Sequence, residues 1–356
     1  MSSAGPAARP IERPIERPIE PLLKAQAFGL GFDLVGLTAL GPADTYKHFS
    51  DWLVAGHAGE MQYLERGAEL RADSRHPVPG MQSAVVVALN YDGTQPDGTI
   101  ARYARGDDYH RVMWDKLDEL GAWLTAHTGA TTRAFVDTGP VLERDLARRA
   151  GLGWFGKNTL LIHPQLGSFF FIGALFCDLE LTPDAPFTAD HCGTCTRCLD
   201  HCPTQAFTAP HVLDATRCIS YLTIELKGAI PEPLRPALDD HLYGCDICQE
   251  VCPWNHKFSR PLTDMALRPA DDRVRPDPAE LLALDAPAWR ARFGKSAITR
   301  TKRRGLARNA AVVLGNRGDP SALGVLEQAA AHDPEPLVRE HAAWAVEQIR
   351  TRHRPT

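Results

Sequence analysis

The chain has 356 residues, a net charge of −5 and 44% hydrophobic residues. That length suggests two or three domains, and the hydrophobic fraction is enough for packed cores. No stretch approaches the ~18 continuous apolar residues of a membrane span, and a net acidic chain is not a uniformly basic nucleic-acid coat. The charge is uneven, however. From Arg290 onward 13 Lys and Arg stand against 6 Asp and Glu, a local +7 on a body of −12. A basic terminal module of this kind can hold a polyanion, and it can equally be a solvated helical surface.

Residues 1–21 repeat Pro-Ile-Glu-Arg at 10–13 and 14–17, then run Pro18-Ile19-Glu20-Pro21. A proline at every fourth residue removes helix donors and fixes φ, so this segment is expected to be a disordered arm. Nothing in it resembles a secretory signal, and the chain is expected in the cytoplasm. Order is expected from about residue 22. LLKAQAFGLGF predicts a helix ending at glycine, and FDLVGLT predicts the strand after it. A second helix is predicted over about 46–55. AVVVAL at 84–89 is a continuous apolar run, the pattern of a strand buried on both faces. A long helix is predicted over about 109–127 and a short strand over 133–136.

VDTGPVLERDLARRAG then puts Pro140 at a first helical position and Gly151 just past the helix end. Asp137 therefore stands at a strand end. It is either a cap or turn residue or a carboxyl aimed into a cleft above the strand ends, where ligands often bind in α/β sheets. TLLI and SFFFIGALF read as two strands joined through HPQLG, with Lys157 and Asn158 in the glycine-bearing approach. Alternating helices and strands up to Phe176 argue for an α/β or α+β domain over 22–177. A cysteine-rich module is expected over 178–260, followed by a Pro- and Asp-rich connection. LARNAAVVLGN, SALGVLEQAAAH and PLVREHAAWAVEQI, within 281–352, read as successive helices separated by Asp-Pro turns, the pattern of HEAT-type repeats. Only about one and a half repeats fit, so they must dock on the body to be stable. Arg300, Lys302, Arg303 and Arg304 lie at their entrance.

The chemistry is carried by cysteine. Cys192 to Pro203 reads CGTCTRCLDHCP. This is the C-x2-C-x2-C-x3-C-P ferredoxin run, in which three thiolates hold one 4Fe–4S cluster and the fourth reaches a second. CDICQEVCP at 245–253 is a shorter run whose first position falls at Leu242, and the lone Cys218 can supply the absent ligand. The count then closes on two clusters. Cys192, Cys195, Cys198 and Cys252 hold one, and Cys202, Cys218, Cys245 and Cys248 hold the other. Paired C-x2-C runs also build zinc ribbons, but zinc explains neither the third and fourth cysteines nor the proline after both runs. A disulfide framework does not suit a cytosolic chain. Cys177, the ninth cysteine, ends an apolar run and reads as a buried structural thiol.

Two adjacent clusters form a wire, and a wire ends at an acceptor. The long domain ahead of the cysteines is the place for it, whether a second cofactor, a substrate or both. It carries no GxGxxG after a strand and no GxxxxGK[ST] phosphate loop. The ordered set ARYARGDDYH (101–110), VDTGPVLER (136–144), GWFGKNTLLI (153–162), CGTCTRCLDHCPTQAF (192–207), RCISYLTIE (217–225) and YGCDICQEVCPWN (243–255) resembles the epoxyqueuosine reductase family, from about residue 22 to 260. The helical tail is similar to that of the family's longer members.

The resemblance implies an α+β protein: an N-terminal α/β cobalamin-binding domain, a ferredoxin-like two-cluster domain and C-terminal HEAT-like helices. It implies reduction of epoxyqueuosine to queuosine at the wobble position of a tRNA anticodon. Electrons from an external donor pass through two 4Fe–4S clusters to cobalamin. The alternative is a cobalamin and iron–sulfur reductase of another substrate, such as a dehalogenase. Those enzymes usually carry a twin-arginine signal, absent here. The expected partners are an anticodon stem-loop carrying epoxyqueuosine and the electron donor, with no membrane, and a monomer.

Residue by residue, Asp137 matches the family's proton donor and also sits among its cofactor-binding positions. A covered carboxyl whose pKa is raised by burial can protonate an epoxide oxygen. Tyr109 and His110 match a DYH motif near the cobalt, with no histidine required below the metal. Arg71 matches a cobalamin-contacting arginine, whose fork suits amide or phosphate oxygens. Ser220 matches a contact between cluster and corrin, and Ala101, Leu161, Ile172 and Leu175 match positions that line the corrin. Lys227 lies near a tRNA-contacting lysine of the family. Arg105 stands where tryptophan is common, a change that could alter how the anticodon loop is held.

Overall fold

The structure is a computed structural model describing residues 18–91 and 93–354. The Pro-Ile-Glu-Arg repeats at 10–17 lie outside the described residues. Helix α1 (Ile19–Gly29) starts earlier than the proline pattern suggests. Pro21 falls in its first turn, where the missing N–H would have had no partner, and Glu20 meets the positive end of the helix.

Strand β1 (Leu34–Ala39), α2 (Tyr46–Val54) and the short helices α3 (Gln62–Arg66) and α4 (Ala68–Arg71) lead to β2 (Ser83–Asn90). Helix α5 (Tyr109–Thr128), β3 (Thr132–Phe135) and α6 (Glu143–Arg149) follow. A small hairpin of β4 (Trp154–Phe155) and β5 (Leu161–Ile162) precedes β6 (Phe170–Cys177). The main sheet has the order β1-β2-β6-β3 and is antiparallel at every pair. Val85, Val87 and Leu89 of β2 face a core with α1 and α5, while Ala84, Val86 and Ala88 face a second core with α6. The run is apolar because helices cover both faces. The crevice rule of parallel sheets therefore does not place Asp137. The turn after β3 does, and α6 begins at Glu143 rather than at Pro140. Gly139 is needed in that turn, since a Cβ there would lie 2.3 Å from Cδ1 of Phe135.

The cysteine module holds α7 (Arg197–Asp200), a hairpin of β7 (Phe207–Ala209) and β8 (Val212–Leu213), α8 (Ile219–Ile224), α9 (Ile247–Glu250) and α10 (Pro253–Phe258). Buried polar contacts fasten it to the sheet domain. Ser168 N donates to Asn255 Oδ1 at 2.6 Å, and Gln249 Nε2 donates to Ser168 O at 3.0 Å and to Tyr91 Oη at 3.2 Å. Arg102 donates from its backbone to Asp246 at 2.8 Å and from Nη1 to Glu250 at 2.5 Å. Arg105 is fully buried and donates to the carbonyls of Ile100 and Pro96, each at 2.7 Å. It staples its own loop, so any effect of the change from tryptophan on the anticodon loop would pass through the shape of that loop.

After α11 (Pro278–Ala283) and α12 (Ala286–Phe293), helices α13 (Lys302–Arg317), α14 (Leu323–His332) and α15 (Pro336–Arg352) pack together. Helix α13 is buried along most of its length because it is sandwiched. One side meets α15, and the other meets the 219–243 region of the cysteine module. There Asn309 Nδ2 donates to Thr223 O at 2.8 Å and Leu242 O at 2.9 Å, and Tyr243 Oη donates to Ala297 O at 2.7 Å. Among the described residues no helix is long and apolar enough to cross a membrane.

Candidate active site and cluster-binding loops

Asp137 has φ of +56°, a left-handed conformation that Asp tolerates better than most residues and that clusters at functional turns. Its side chain is 68% exposed, yet burial remains the largest influence on its carboxyl. Together these facts describe a recess: reachable by solvent, surrounded by protein. Asp108 caps α5 by accepting from His110 N at 3.1 Å, and its Oδ1 also lies 2.7 Å from His110 Nδ1. One carboxylate thus starts the helix and aims the imidazole. His110 Nε2 then lies 3.8 Å from Asp137 Oδ2, and Tyr109 Oη donates to the same oxygen at 2.6 Å. Tyr109 is held by a parallel stack on Phe171, centroids 4.1 Å apart.

Burial would raise the Asp137 carboxyl, but the pairing with His110, the hydrogen bond from Tyr109 and the charge of Arg144 outweigh it. The carboxyl sits below its ordinary value, which corrects the expectation of an acid raised by burial. The proton rests next door. Burial works against a charged His110, but Asp108 and Asp137 lift its pKa to about 9. A histidine raised in this way adds stability below its unfolded value near 6.5, lost as pH rises through about 9. NMR titration of the ring should therefore give a midpoint far above 6.5. Asp108→Asn should bring it down, and an unshifted midpoint in the parent protein would rule this pairing out.

The thiols lie close enough together to act on one another. Cys198 feels Cys192 and Cys252, and Cys252 feels Cys192 and Cys195. Cys218 feels Cys202, Cys245 feels Cys218 and Cys202, and Cys248 feels Cys245, Cys218 and, across the gap, Cys198. Burial, with neighbouring thiols, pushes Cys198 up to about 11 and also raises Cys248 and Cys245. Such a set takes its thiolate form only around added positive charge. Cys192, Cys195, Cys198 and Cys252 line one cavity of about 300 Å³ with Lys157, Asn158 and Trp254. Lys157 Nζ donates to Gly193 O at 2.6 Å and Cys195 O at 3.0 Å, clasping the first cysteine loop. Asn158 Nδ2 reaches Cys248 O at 3.3 Å, so adjacent residues touch the loops of both groups. Among the described residues no trio of His, Cys, Asp or Glu converges on a single ion; in a cube each thiolate takes its own iron.

Comparison with known proteins bears on this arrangement. A family model described as "Epoxyqueuosine reductase QueG, DUF1730" matches residues 71–138, a 4Fe–4S double-cluster binding domain matches 191–255, and HEAT repeats match 295–355. The epoxyqueuosine reductase of Xanthomonas campestris pv. campestris is 41% identical over 331 residues, covering 89% of this chain and 92% of its own. That of Escherichia coli K12 is 39% identical over 338 residues, covering 92% and 88%. The chain belongs to the epoxyqueuosine reductase family. A crystal structure of epoxyqueuosine reductase with an epoxyqueuosine-modified tRNA-Tyr stem loop superposes with a TM-score of 0.87 at 32% identity, covering 93% of this chain and 90% of that one. As a member of the family the chain is an oxidoreductase of mixed α and β structure, with a double-cluster iron–sulfur domain and HEAT-repeat helices.

The turn after β3 also meets Arg71, whose Nη2 donates to Gly139 O at 3.4 Å. Tyr109, His110 and Asp137 form one group, with Arg71 against the same turn. Ser220 stands half-buried two residues after Cys218. Ala101 is buried, its Cβ against Gly244, and Leu161 is buried in the second core, with half-buried Ile172 at that core's edge. Leu175 does not line a recess through its side chain, which is fully buried in the first core against Gly121 of α5. Residues that sequence reasoning gave no role include Lys157, whose clasp has no spacing signature, and Glu143. Oε1 of Glu143 is buried without a hydrogen-bond partner.

Proposed function

We propose that this chain reduces epoxyqueuosine to queuosine in the anticodon of a tRNA, in the cytoplasm, using two 4Fe–4S clusters and cobalamin. The observation that carries the reading is the Tyr109–Asp137–His110 group, set in a recess on a body whose eight thiols stand in two sets of four. The fit to cobalamin rests on Arg71. It is buried, and its Nη1 is sealed from solvent without a partner, a guanidinium donor waiting for an amide or phosphate oxygen of the corrin periphery. When bound, cobalamin supplies the reduced cobalt that opens the epoxide, and the clusters supply its electrons. Asp137 delivers a proton to the oxygen as negative charge develops there, Tyr109 fixes the carboxyl, and His110 restores its proton. Ser220, Ala101, Leu161 and Ile172 are proposed to lie along the corrin, Leu175 by its backbone alone. The division at 22–177, 178–260 and 281–352, and the monomeric state, belong to the same reading.

The tRNA must present its modified base outside the stack. The exposed Lys227 and Lys302, with Arg300 stacked 5.3 Å over Tyr63, are proposed to meet stem phosphates, and binding should fall steeply with salt. Anaerobic reconstitution should load about eight irons per chain and retain cobalamin. The loaded protein should convert an epoxyqueuosine-bearing anticodon stem-loop to queuosine, read by nucleoside mass spectrometry. A loaded protein that leaves the nucleoside intact overturns the reading.

A further inference from the structure

Opening an epoxide to an alkene breaks both C–O bonds, takes up two electrons and two protons, and releases the oxygen as water. The His110–Asp137 ion pair, 3.8 Å across, holds one such proton. A second must arrive while the RNA covers the recess. Arg71 and Arg144 keep their protons, and Tyr109 commits its hydroxyl hydrogen to Asp137. The remaining acid is Glu143. It opens α6, just after the turn that carries Asp137, Gly139 and Pro140, close enough for the charge of Asp137 to act on it. Its Oε1 is shut off from solvent and has no hydrogen-bond partner. An ionised carboxylate in that position would leave a charge-bearing oxygen unsatisfied, at a high cost.

We infer that Glu143 is the second proton store of the site, a buried carboxylic acid that passes its proton through Asp137 to the departing oxygen. The inference rests on the proposed epoxyqueuosine reduction. The charged and titratable groups acting on Glu143 agree with it. Burial, then the charge of Asp137, lifts its pKa to about 8, and neither a hydrogen bond from its own backbone N–H nor the charges of Arg71 and Arg144 cancel that rise. Asp137 is held low and Glu143 high, and a pair of carboxyls pushed apart in this way divides the roles of base and acid. Glu143 is a positioning and relay residue; it does not touch the substrate itself.

The test is Glu143→Gln, a neutral isostere of the protonated acid, with Glu143→Asp as the conservative partner. In the protein without RNA, difference infrared spectra at pH 7 should show a protonated carboxyl that Glu143→Gln removes. In single turnover, Glu143→Gln should keep its iron, cobalamin and stem-loop affinity but convert epoxyqueuosine about 10- to 100-fold more slowly. The fall in rate that the parent protein shows as pH rises through about 8 should be lost, and Glu143→Asp should recover part of the rate. Equal rates with the same pH profile in Glu143→Gln, or no protonated carboxyl at pH 7, overturn the inference. A parent protein that never converts the nucleoside overturns instead the reading on which it rests.

Discussion

Asp137→Asn should fold and keep its iron and cobalamin, but turn over epoxyqueuosine-bearing RNA roughly 10²- to 10⁴-fold more slowly, the range of a lost general acid. The backbone argument makes this substitution informative. At φ of +56° most side chains are strained, but Asn and Asp share the left-handed region. Asn also keeps an oxygen to accept from Tyr109 Oη. What it loses is the charge that holds the proton on His110 and the oxygen that can pass it on. A second reading comes with the first: the His110 midpoint should drop from about 9 toward its ordinary value, because one of its two carboxylates has become neutral. Asp137→Ala is the poorer experiment, since it adds strain in the turn to the lost carboxyl. Unchanged turnover in Asp137→Asn would remove Asp137 from the chemistry, and the relay from Glu143 with it.

The readings that held were local ones. Cysteine spacing encodes a loop that wraps a cube, so a double-cluster domain was legible in the chain, and such a domain matches residues 191–255. The helices and strands flanking the sheet were legible from periodicity and turns. Strand direction was not, because AVVVAL looks the same whether a doubly covered strand pairs parallel or antiparallel. Arg105 illustrates the opposite failure. Nothing in its sequence context showed that carbonyls from Pro96 and Ile100 would converge on its guanidinium and draw it inside. The direction of the Asp137 shift was missed for a related reason. Burial can be guessed from a covered pocket, whereas the opposing hydrogen bonds depend on where Asp108 turns the His110 ring. Glu143 was invisible because one orphaned oxygen is a property of the packed turn, not of any motif.

Arg308→Met should destabilise the protein by about 3–5 kcal/mol, the effect of breaking a buried charged network. Arg308 is fully buried in α13, and burial lowers its pKa only to about 10, so it stays charged at neutral pH. Its Nη2 donates to Leu222 O at 2.6 Å, and its Nη1 donates to Leu226 O and Gly228 O, each at 2.8 Å. Methionine occupies comparable space but leaves three main-chain carbonyls unmet, that of Leu222 buried and those of Leu226 and Gly228 partly so. Because those carbonyls belong to the cysteine module, the damage should fall on the seam between it and the tail. Guanidinium unfolding should show a lower midpoint, and limited proteolysis should cut first near residue 295. Arg308→Lys should recover only part of the loss, since one ammonium cannot span three acceptors in a fixed fork. Arg350→Ala is the control. Its partner Glu327 lies 2.7 Å away, but the arginine side chain is 64% exposed, and an exposed pair is worth about 1 kcal/mol at most. If Arg308→Met and Arg350→Ala unfold at the same midpoint, the apolar sides of α13 hold the tail by themselves. The guanidinium would then serve to set register between helix and module instead of binding them together.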